Sequence, residues 1–299
     1  MADSKRLTGC GTALITPFNA DASIDEGALR ALVDWQIDEG IHFLVPCGST
    51  GEAATMTIEE HLRVVDIVVK QARGRVPILA GAASNDTQKA IDLSKRVSAL
   101  GVTHLLHTSP WYNKPPQRGI VAHYAAIAAA VDLPIVVYNV PGRTGSNIEA
   151  KTTLELSRIP GIAATKEASG NLSQIADVIR GRAPEFSVLS GDDELTLAVM
   201  ALGGDGIVSV VSNVTPKLMA ELCNRMHAGD YAAARKIHMQ LLPWMRAAFV
   251  ESNPMPAKAA LAMMGKIKNV LRSPLVPLAA AHRETVVAAV VGTGVELSS

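Results

Sequence analysis

The sequence has little cysteine. Its three, Cys10, Cys47 and Cys223, are odd in number and far apart, with no CxxC pair in 299 residues. That leaves no basis for a disulfide framework and predicts buried free thiols in a reducing compartment. Neither sign of charge is in excess, since 28 Lys and Arg balance 28 Asp and Glu. There is no basic stripe, so binding to nucleic acid has no support. No uninterrupted apolar run reaches the roughly 18–20 residues that cross a bilayer. Residues Met1 to Thr8 are polar and mixed in charge, and the apolar stretch Cys10 to Phe18 is broken by Thr12, Thr16 and Pro17. No secretion signal is expected from that pattern, and the cytoplasm is the expected location. HExxH, P-loop and GxSxG motifs are absent.

Apolar side chains are plentiful. Hydrophobic residues make up 48% and charged residues 19%, enough to bury a sizeable core in one large domain, with or without a small second one. One pattern repeats along the chain. A short apolar run ends in a small or polar cluster, and an amphipathic stretch follows. The runs at 11–16, 42–46, 77–82, 104–108, 134–138, 162–166, 187–190 and 206–210 read as strands. Helix-period stretches lie at 24–39, 58–72, 87–100, 120–131 and 172–179. Strands that are apolar throughout predict a sheet buried on both faces. Their alternation with helices predicts parallel pairing. Eight such units in about 225 residues fit a (β/α)8 barrel. A doubly wound sheet is the alternative, but no GxGxxG opens a helix after the first strand.

Local signals support the parsing. Ser23-Ile24-Asp25-Glu26 and Thr57-Ile58-Glu59-Glu60 both fit a capping box. Thr215-Pro216 fits an N-cap followed by proline at the first helical position. After Val214 only helical stretches remain, at 216–228, 231–250, 256–264 and near 283–291. The expected division is a barrel over 1–224 and a helical domain over 225–299.

In such a barrel, chemistry sits where strands end. The closing residues are Thr16, then Gly48-Ser49-Thr50-Gly51-Glu52, Asn85, Ser109-Pro110-Trp111-Tyr112-Asn113, Tyr138 to Gly145, Lys166-Glu167 and Gly191-Asp192-Asp193. Lys166 closes an otherwise uncharged strand. Lysines are mostly protonated at neutral pH, and burial disfavours the ammonium, which is how imine-forming lysines are activated. The bland alternative is a lysine reaching to solvent or paired with Glu167. Tyr138 and Tyr112 offer hydroxyls to a reacting group, or are packed aromatics with a wet hydroxyl. Gly48 to Glu52 fits a small carboxylate, with closely spaced N–H groups and two hydroxyls, or is a plain turn. Arg143, in a loop bounded by proline and glycines, could clamp a second carboxylate or be a solvated charge. His104 and His107 alternate across a strand and make a poor metal pair. Asp192-Asp193-Glu194 reads as the opening of a helix rather than a metal site.

Five segments then carry a resemblance: Gly48-Ser-Thr-Gly-Glu52, Tyr138-Asn-Val-Pro141, Arg143-Thr-Gly145, Lys166-Glu-Ala-Ser-Gly-Asn171 and Ser190-Gly-Asp-Asp193. In this order and register, over about residues 9–291, the chain resembles the dihydrodipicolinate synthases of the N-acetylneuraminate lyase superfamily. The resemblance implies a (β/α)8 barrel with a C-terminal helical domain, a homotetramer, and no metal or organic cofactor. It implies condensation of pyruvate with L-aspartate 4-semialdehyde in the diaminopimelate route to lysine. By matching position, Lys166 is the Schiff-base lysine and Tyr138 the proton donor and acceptor. Ser49 and Tyr112 complete the proton relay, with Tyr112 supplied across a dimer interface. Thr50 and Val208 contact the pyruvate moiety, and Arg143 receives the semialdehyde carboxylate.

Two departures stand out. Ser49 stands where most of these synthases have Thr and the sialic-acid lyases have Ser, whereas Arg143 points back to the synthases. In lysine-inhibited relatives a second pocket uses His, Glu and Tyr where this chain has Ile58, Lys89 and Trp111, with His61 and Asn85 retained. A lysine in place of that Glu repels the effector's ammonium, so weak or absent lysine inhibition is expected. The alternative function is another pyruvate-dependent class I aldolase or dehydratase acting on a sugar acid or a hydroxyproline-derived ketimine, for which Arg143 is not needed. A catalytically silent homologue is disfavoured by the intact constellation, and a metal-dependent aldolase by the missing His cluster.

Overall fold

The computed structural model describes residues 6–298; residues 1–5 and 299, at the two ends of the expected domains, lie outside it. Eight strands form: β1 (Gly9–Ala13), β2 (Phe43–Val45), β3 (Leu79–Gly81), β4 (His104–Thr108), β5 (Ile135–Asn139), β6 (Ile162–Glu167), β7 (Ser187–Ser190) and β8 (Gly206–Ser209). The helices are α1 (Glu26–Asp38), α2 (Ile58–Ala72), α3 (Thr87–Ser98), α4 (Gln117–Ala130), α5 (Pro141–Thr144), α6 (Ala150–Leu156), α7 (Leu172–Gly181) and α8 (Thr196–Ala201), followed by α9 (Pro216–His227), α10 (Tyr231–Ala247), α11 (Met255–Met263) and α12 (Ala280–Val291). The strands enter one sheet in the order β2-β1-β8-β7-β6-β5-β4-β3. This is the (β/α)8 barrel class with a C-terminal helical part. Strand residues are buried except Thr108 and Ala163, which are half-buried. Their uniform apolarity follows from having no solvent face.

The chain divides into two compact units. Among the described residues the first unit comprises 6–9 and Pro77–Val208, and the second comprises Cys10–Val76 and 209–298. In the first unit β3 to β8 pair in parallel, in sequence order. The register sets Tyr138 beside Lys166 and Asn139 beside Glu167. Ile135 and Val137 of β5 and Val188 of β7 share one apolar cluster with Ile127 of α4 and Ile175 and Val178 of α7. Tyr124 is fully buried in it and donates its hydroxyl to the His107 carbonyl at 2.7 Å, which satisfies the one polar atom it carries inward. At the start of β8, Gly206 has φ +146°, and a Cβ there would lie 1.9 Å from the Gly9 carbonyl oxygen. Only glycine allows that approach.

In the second unit β1 pairs with β2, Gly11 opposite Phe43. The buried amide of Gln36 ties α1 to the segment after β8, donating to the Ser212 carbonyl at 3.0 Å while accepting from the Thr12 hydroxyl at 2.6 Å. Asn213 bonds back to β1, donating to the Ala13 carbonyl at 2.8 Å. Trp244 on α10, fully buried, donates to the Val211 carbonyl at 3.3 Å.

The Thr57–Glu60 capping box forms as expected, with both reciprocal bonds present. The expected box at Ser23 does not. Asp25 is the N-cap of α1 and accepts from the Ala28 N–H, and the Ser23 hydroxyl donates to Asp21 in the preceding turn at 2.6 Å. A carboxylate two residues later is the stronger acceptor for the free N–H groups. Thr215 precedes Pro216 at the start of α9, but its hydroxyl donates back to the Val211 carbonyl at 3.0 Å instead of capping. Asp192 and Asp193 lie in the turn before α8, whose N-cap is Leu195; Asp192 accepts from the Glu194 N–H at 3.0 Å. All three cysteines are buried, and none forms a disulfide among the described residues. No helix among the described residues is long and apolar enough to cross a membrane.

Candidate active site

In the first unit Lys166 is the penultimate residue of β6 and is 6% exposed. Its Nζ lies 4.0 Å from the ring centroid of Tyr138, the neighbouring strand's residue in register. An ammonium over a ring face is attracted by the aromatic quadrupole. Opposite, Gly191 keeps the lysine's room open, because a Cβ there would stand 3.1 Å from the Lys166 Cε. Val208 is buried on β8.

Pairing of Lys166 with Glu167 does not occur. Consecutive strand residues point to opposite faces, and Glu167 is turned away into a cluster of amides. It accepts from Asn139 Nδ2 at 3.1 Å, from the Ser169 N–H at 2.8 Å and from Gln174 Nε2 at 3.4 Å. Burial pushes the Glu167 carboxyl up from the ordinary range, and these hydrogen bonds oppose the shift.

Arg143 lies on α5, a single helical turn where the sequence suggested a loop, and its side chain is exposed. Pro141 at the first helical position and Gly145 at the left-handed C-cap make so short a helix possible. Tyr112 is 88% exposed at φ 73°, with its N–H 3.4 Å from the Thr144 carbonyl at the end of that turn.

In the second unit the Gly48–Glu52 loop is a tight turn. The N–H groups of Gly51 and Glu52 close on the Gly48 and Ser49 carbonyls, each at 3.1 Å. Two donors of the expected nest are thus consumed by the loop itself. Ser49 is exposed, and Thr50 is buried with its hydroxyl accepting from Asn253 Nδ2 at 2.8 Å. Glu52 is left-handed, at φ 57°. Its carboxylate forms an ion pair with Lys258 and accepts the Arg272 N–H at 3.0 Å, both acid and lysine being fully buried. Lys258 also donates to the Val270 carbonyl at 2.9 Å and stands 4.1 Å from the Phe18 ring centroid. Burial pulls the Lys258 ammonium down, and Glu52 opposes this. Asn253 and Lys258 were not legible as site residues, because they lie about two hundred positions from the loop they hold. Asn139 and Glu167 fell inside the recognised motifs, but nothing in the sequence tied them to Asn147 and Gln174.

This (β/α)8 frame, with a lysine buried on one strand beside a tyrosine ring, is that of an enzyme of the lyase class, the class of its curated relatives. The chain belongs to the dihydrodipicolinate synthetase family, whose model matches residues 6–292. It is 53% identical over 279 residues to the 4-hydroxy-tetrahydrodipicolinate synthase of Koribacter versatilis, covering 93% of each chain. It is 51% identical over 280 residues to that of Acidobacterium capsulatum, covering 93% of this chain and 92% of the relative. Among solved structures, the chloride-inhibited dihydrodipicolinate synthase of Acinetobacter baumannii complexed with pyruvate superposes with a TM-score of 0.94 at 40% identity, covering 96% of this chain and 99% of that one.

Proposed function

We propose that this chain condenses pyruvate with L-aspartate 4-semialdehyde through an imine on Lys166, giving 4-hydroxy-tetrahydrodipicolinate for diaminopimelate and lysine biosynthesis. The observation that carries the reading is Lys166 buried at the end of β6 with its amine over the Tyr138 ring. The Lys166 amine attacks the pyruvate ketone, water leaves, and an imine forms. Tyr138 gives and takes the protons of that step, relayed through Ser49 and through Tyr112 from a neighbouring subunit. The imine acidifies the pyruvate methyl group, whose lost proton leaves an enamine. The enamine carbon attacks the aldehyde, and the substrate's amine then displaces Lys166 and closes the ring. Thr50, Ser49 and Val208 hold the pyruvate part, and Arg143 receives the semialdehyde carboxylate. No metal or organic cofactor takes part in this scheme. A homotetramer in the cytoplasm, with 1–224 as the catalytic domain and 225–299 as a helical one, completes the reading, supported by family membership.

The test is trapping followed by turnover. Borohydride with pyruvate is expected to add the reduced adduct to Lys166 and nowhere else. A coupled assay is expected to show turnover with aspartate semialdehyde and none with sialic acid. Adduct without semialdehyde turnover would retain the imine and reject the second substrate; no adduct would reject the whole scheme.

A further inference from the structure

The carboxylate behind Lys166 is more heavily bonded than strand packing requires. Asn139 on β5 and Gln174 on α7 bond Glu167 directly, and Asn147, in the segment after α5, is bonded to both of these amides. Asn139 Nδ2 donates to Glu167 at 3.1 Å and to Asn147 Oδ1 at 2.8 Å, and its own oxygen accepts the Ile148 N–H at 2.9 Å. Gln174 Oε1 accepts from Asn147 Nδ2 at 2.8 Å, and Gln174 Nε2 reaches the Ile148 carbonyl at 3.2 Å and Glu167 at 3.4 Å. Gln117 on α4 adds two bonds, to the Asn147 carbonyl at 2.8 Å and from the Glu149 N–H at 3.1 Å. The Gln174 backbone is itself fixed by the Asn171 cap of α7, at 3.1 Å.

The effect of this cluster is geometric. The chain leaves β5 at Asn139, makes the α5 turn with Arg143, and returns at Asn147–Ile148. The Asn139 end is bonded to the carboxylate of Glu167, the residue next to Lys166, and the Asn147–Ile148 end is joined to that carboxylate through Asn139 and Gln174. Within the turn, Thr144 closes the remaining freedom by donating to the Val140 carbonyl at 3.2 Å and the Ser146 carbonyl at 2.9 Å. Glu167 touches neither the lysine amine nor the arginine head. It sets the distance between the segments that bear them.

We propose that Glu167, gripped by Asn139 and Gln174 and linked through them to Asn147, is a positioning residue that holds the Arg143 turn at a fixed span from Lys166 and so selects an aldehyde whose own carboxylate lies a short carbon chain from the reacting carbon. The inference rests on the proposed role of Arg143. Neutralising the acid while keeping its size, as in Glu167→Gln, removes one acceptor and sets an amide N–H₂ against the Asn139 N–H₂. Losing a charge-assisted bond of this kind loosens the turn by an amount worth about 10- to 100-fold in binding of the group Arg143 receives. Pyruvate, bound at the lysine end, does not depend on that span.

The experiment measures KM for each substrate, and borohydride trapping with pyruvate, in Glu167→Gln, Asn147→Ala, Arg143→Ala and Glu167→Gln/Arg143→Ala. The expected result is an aldehyde KM raised about 10-fold or more in both network variants, with pyruvate KM and trapping at Lys166 unchanged. The double variant is expected to be no worse than Arg143→Ala alone, because the acid acts through the arginine. Should Glu167→Gln fail to fold, Asn147→Ala, remote from the lysine, carries the same expectation. A normal aldehyde KM in the network variants, or pyruvate KM rising in step with it, overturns the inference. If Arg143→Ala itself leaves the aldehyde KM unchanged, the assignment of Arg143 fails, which is a separate outcome.

Discussion

Replacing Lys258 with methionine removes one half of an ion pair from which water is excluded on both sides. Glu52 and Lys258 each have no exposed side-chain surface, so solvent screening does not dilute their interaction. Methionine fills much the same volume against Phe18 but leaves the Glu52 carboxylate with the Arg272 N–H and no cation in direct contact. It also leaves the Val270 carbonyl without its donor. Breaking a buried pair by deleting one partner costs about 3–5 kcal/mol, most of it the uncompensated charge. For a chain of this size that corresponds to a melting temperature lower by roughly 10 °C. Glu52→Gln on the Lys258→Met background removes the stranded charge while keeping an acceptor for Arg272. The double variant should therefore recover part of the loss, with a coupling of about 2 kcal/mol in a double-mutant cycle. Urea unfolding of the four proteins at one pH measures every corner. A loss under about 1 kcal/mol for Lys258→Met, or losses that simply add in the double variant, would refute the reading of this pair as a mutually dependent buried charge couple.

His107 is fully buried beside Ser94 and near His123, and burial pulls its pKa from 6.5 to about 3. The unfolded chain takes up the proton first, so stability is complete above pH 6.5 and falls as the pH drops below it, by about 2 kcal/mol at pH 5. His107→Gln should flatten that slope in unfolding curves at pH 7 and pH 5, and an unchanged slope would remove His107 as its source. Arg143→Ala should lower kcat/KM for the semialdehyde about 100-fold while pyruvate still adds to Lys166 under borohydride; equal turnover would reassign the arginine to solvent. With Lys89 where lysine-inhibited relatives carry Glu, millimolar lysine should leave the rate nearly unchanged, and strong inhibition below 1 mM, on the order of a kilocalorie or more of binding beyond that expected, would contradict the charge argument.

Periodicity carried most of the frame, since buried parallel strands and amphipathic helices write their pattern locally. β4 spans His104–Thr108 and α2 spans Ile58–Ala72, as their sequences predict. The first strand was placed late, at 11–16, because Leu14 to Thr16 remain apolar and buried after the ladder has ended at Ala13. There Thr16 turns its hydroxyl to the Gly51 carbonyl at 2.8 Å. α5 was read as loop because a four-residue turn offers no period to detect. Lys166 and Tyr138 were legible because a charged residue and an aromatic each close a plain strand. The amide cluster around Glu167 was not, since Asn147 and Gln174 are ordinary surface residues until folding brings them to the acid. The partner of Thr50 was hidden for the same reason. Hydrogen bonds between residues far apart in sequence leave no trace in composition.

The ring of Phe18 lies between two cations, with Lys258 at 4.1 Å and the Arg272 guanidinium at 4.5 Å from its centroid. A leucine there would fill space without offering either charge a negative face, and the two cations would meet across an apolar gap. Phe18, Glu52, Lys258 and Arg272 thus form a unit of inheritance: a change at one becomes acceptable only after a change at another. Variant libraries that vary these four positions singly should return mostly non-functional clones, whereas libraries that vary them jointly should uncover working combinations that no stepwise route reaches.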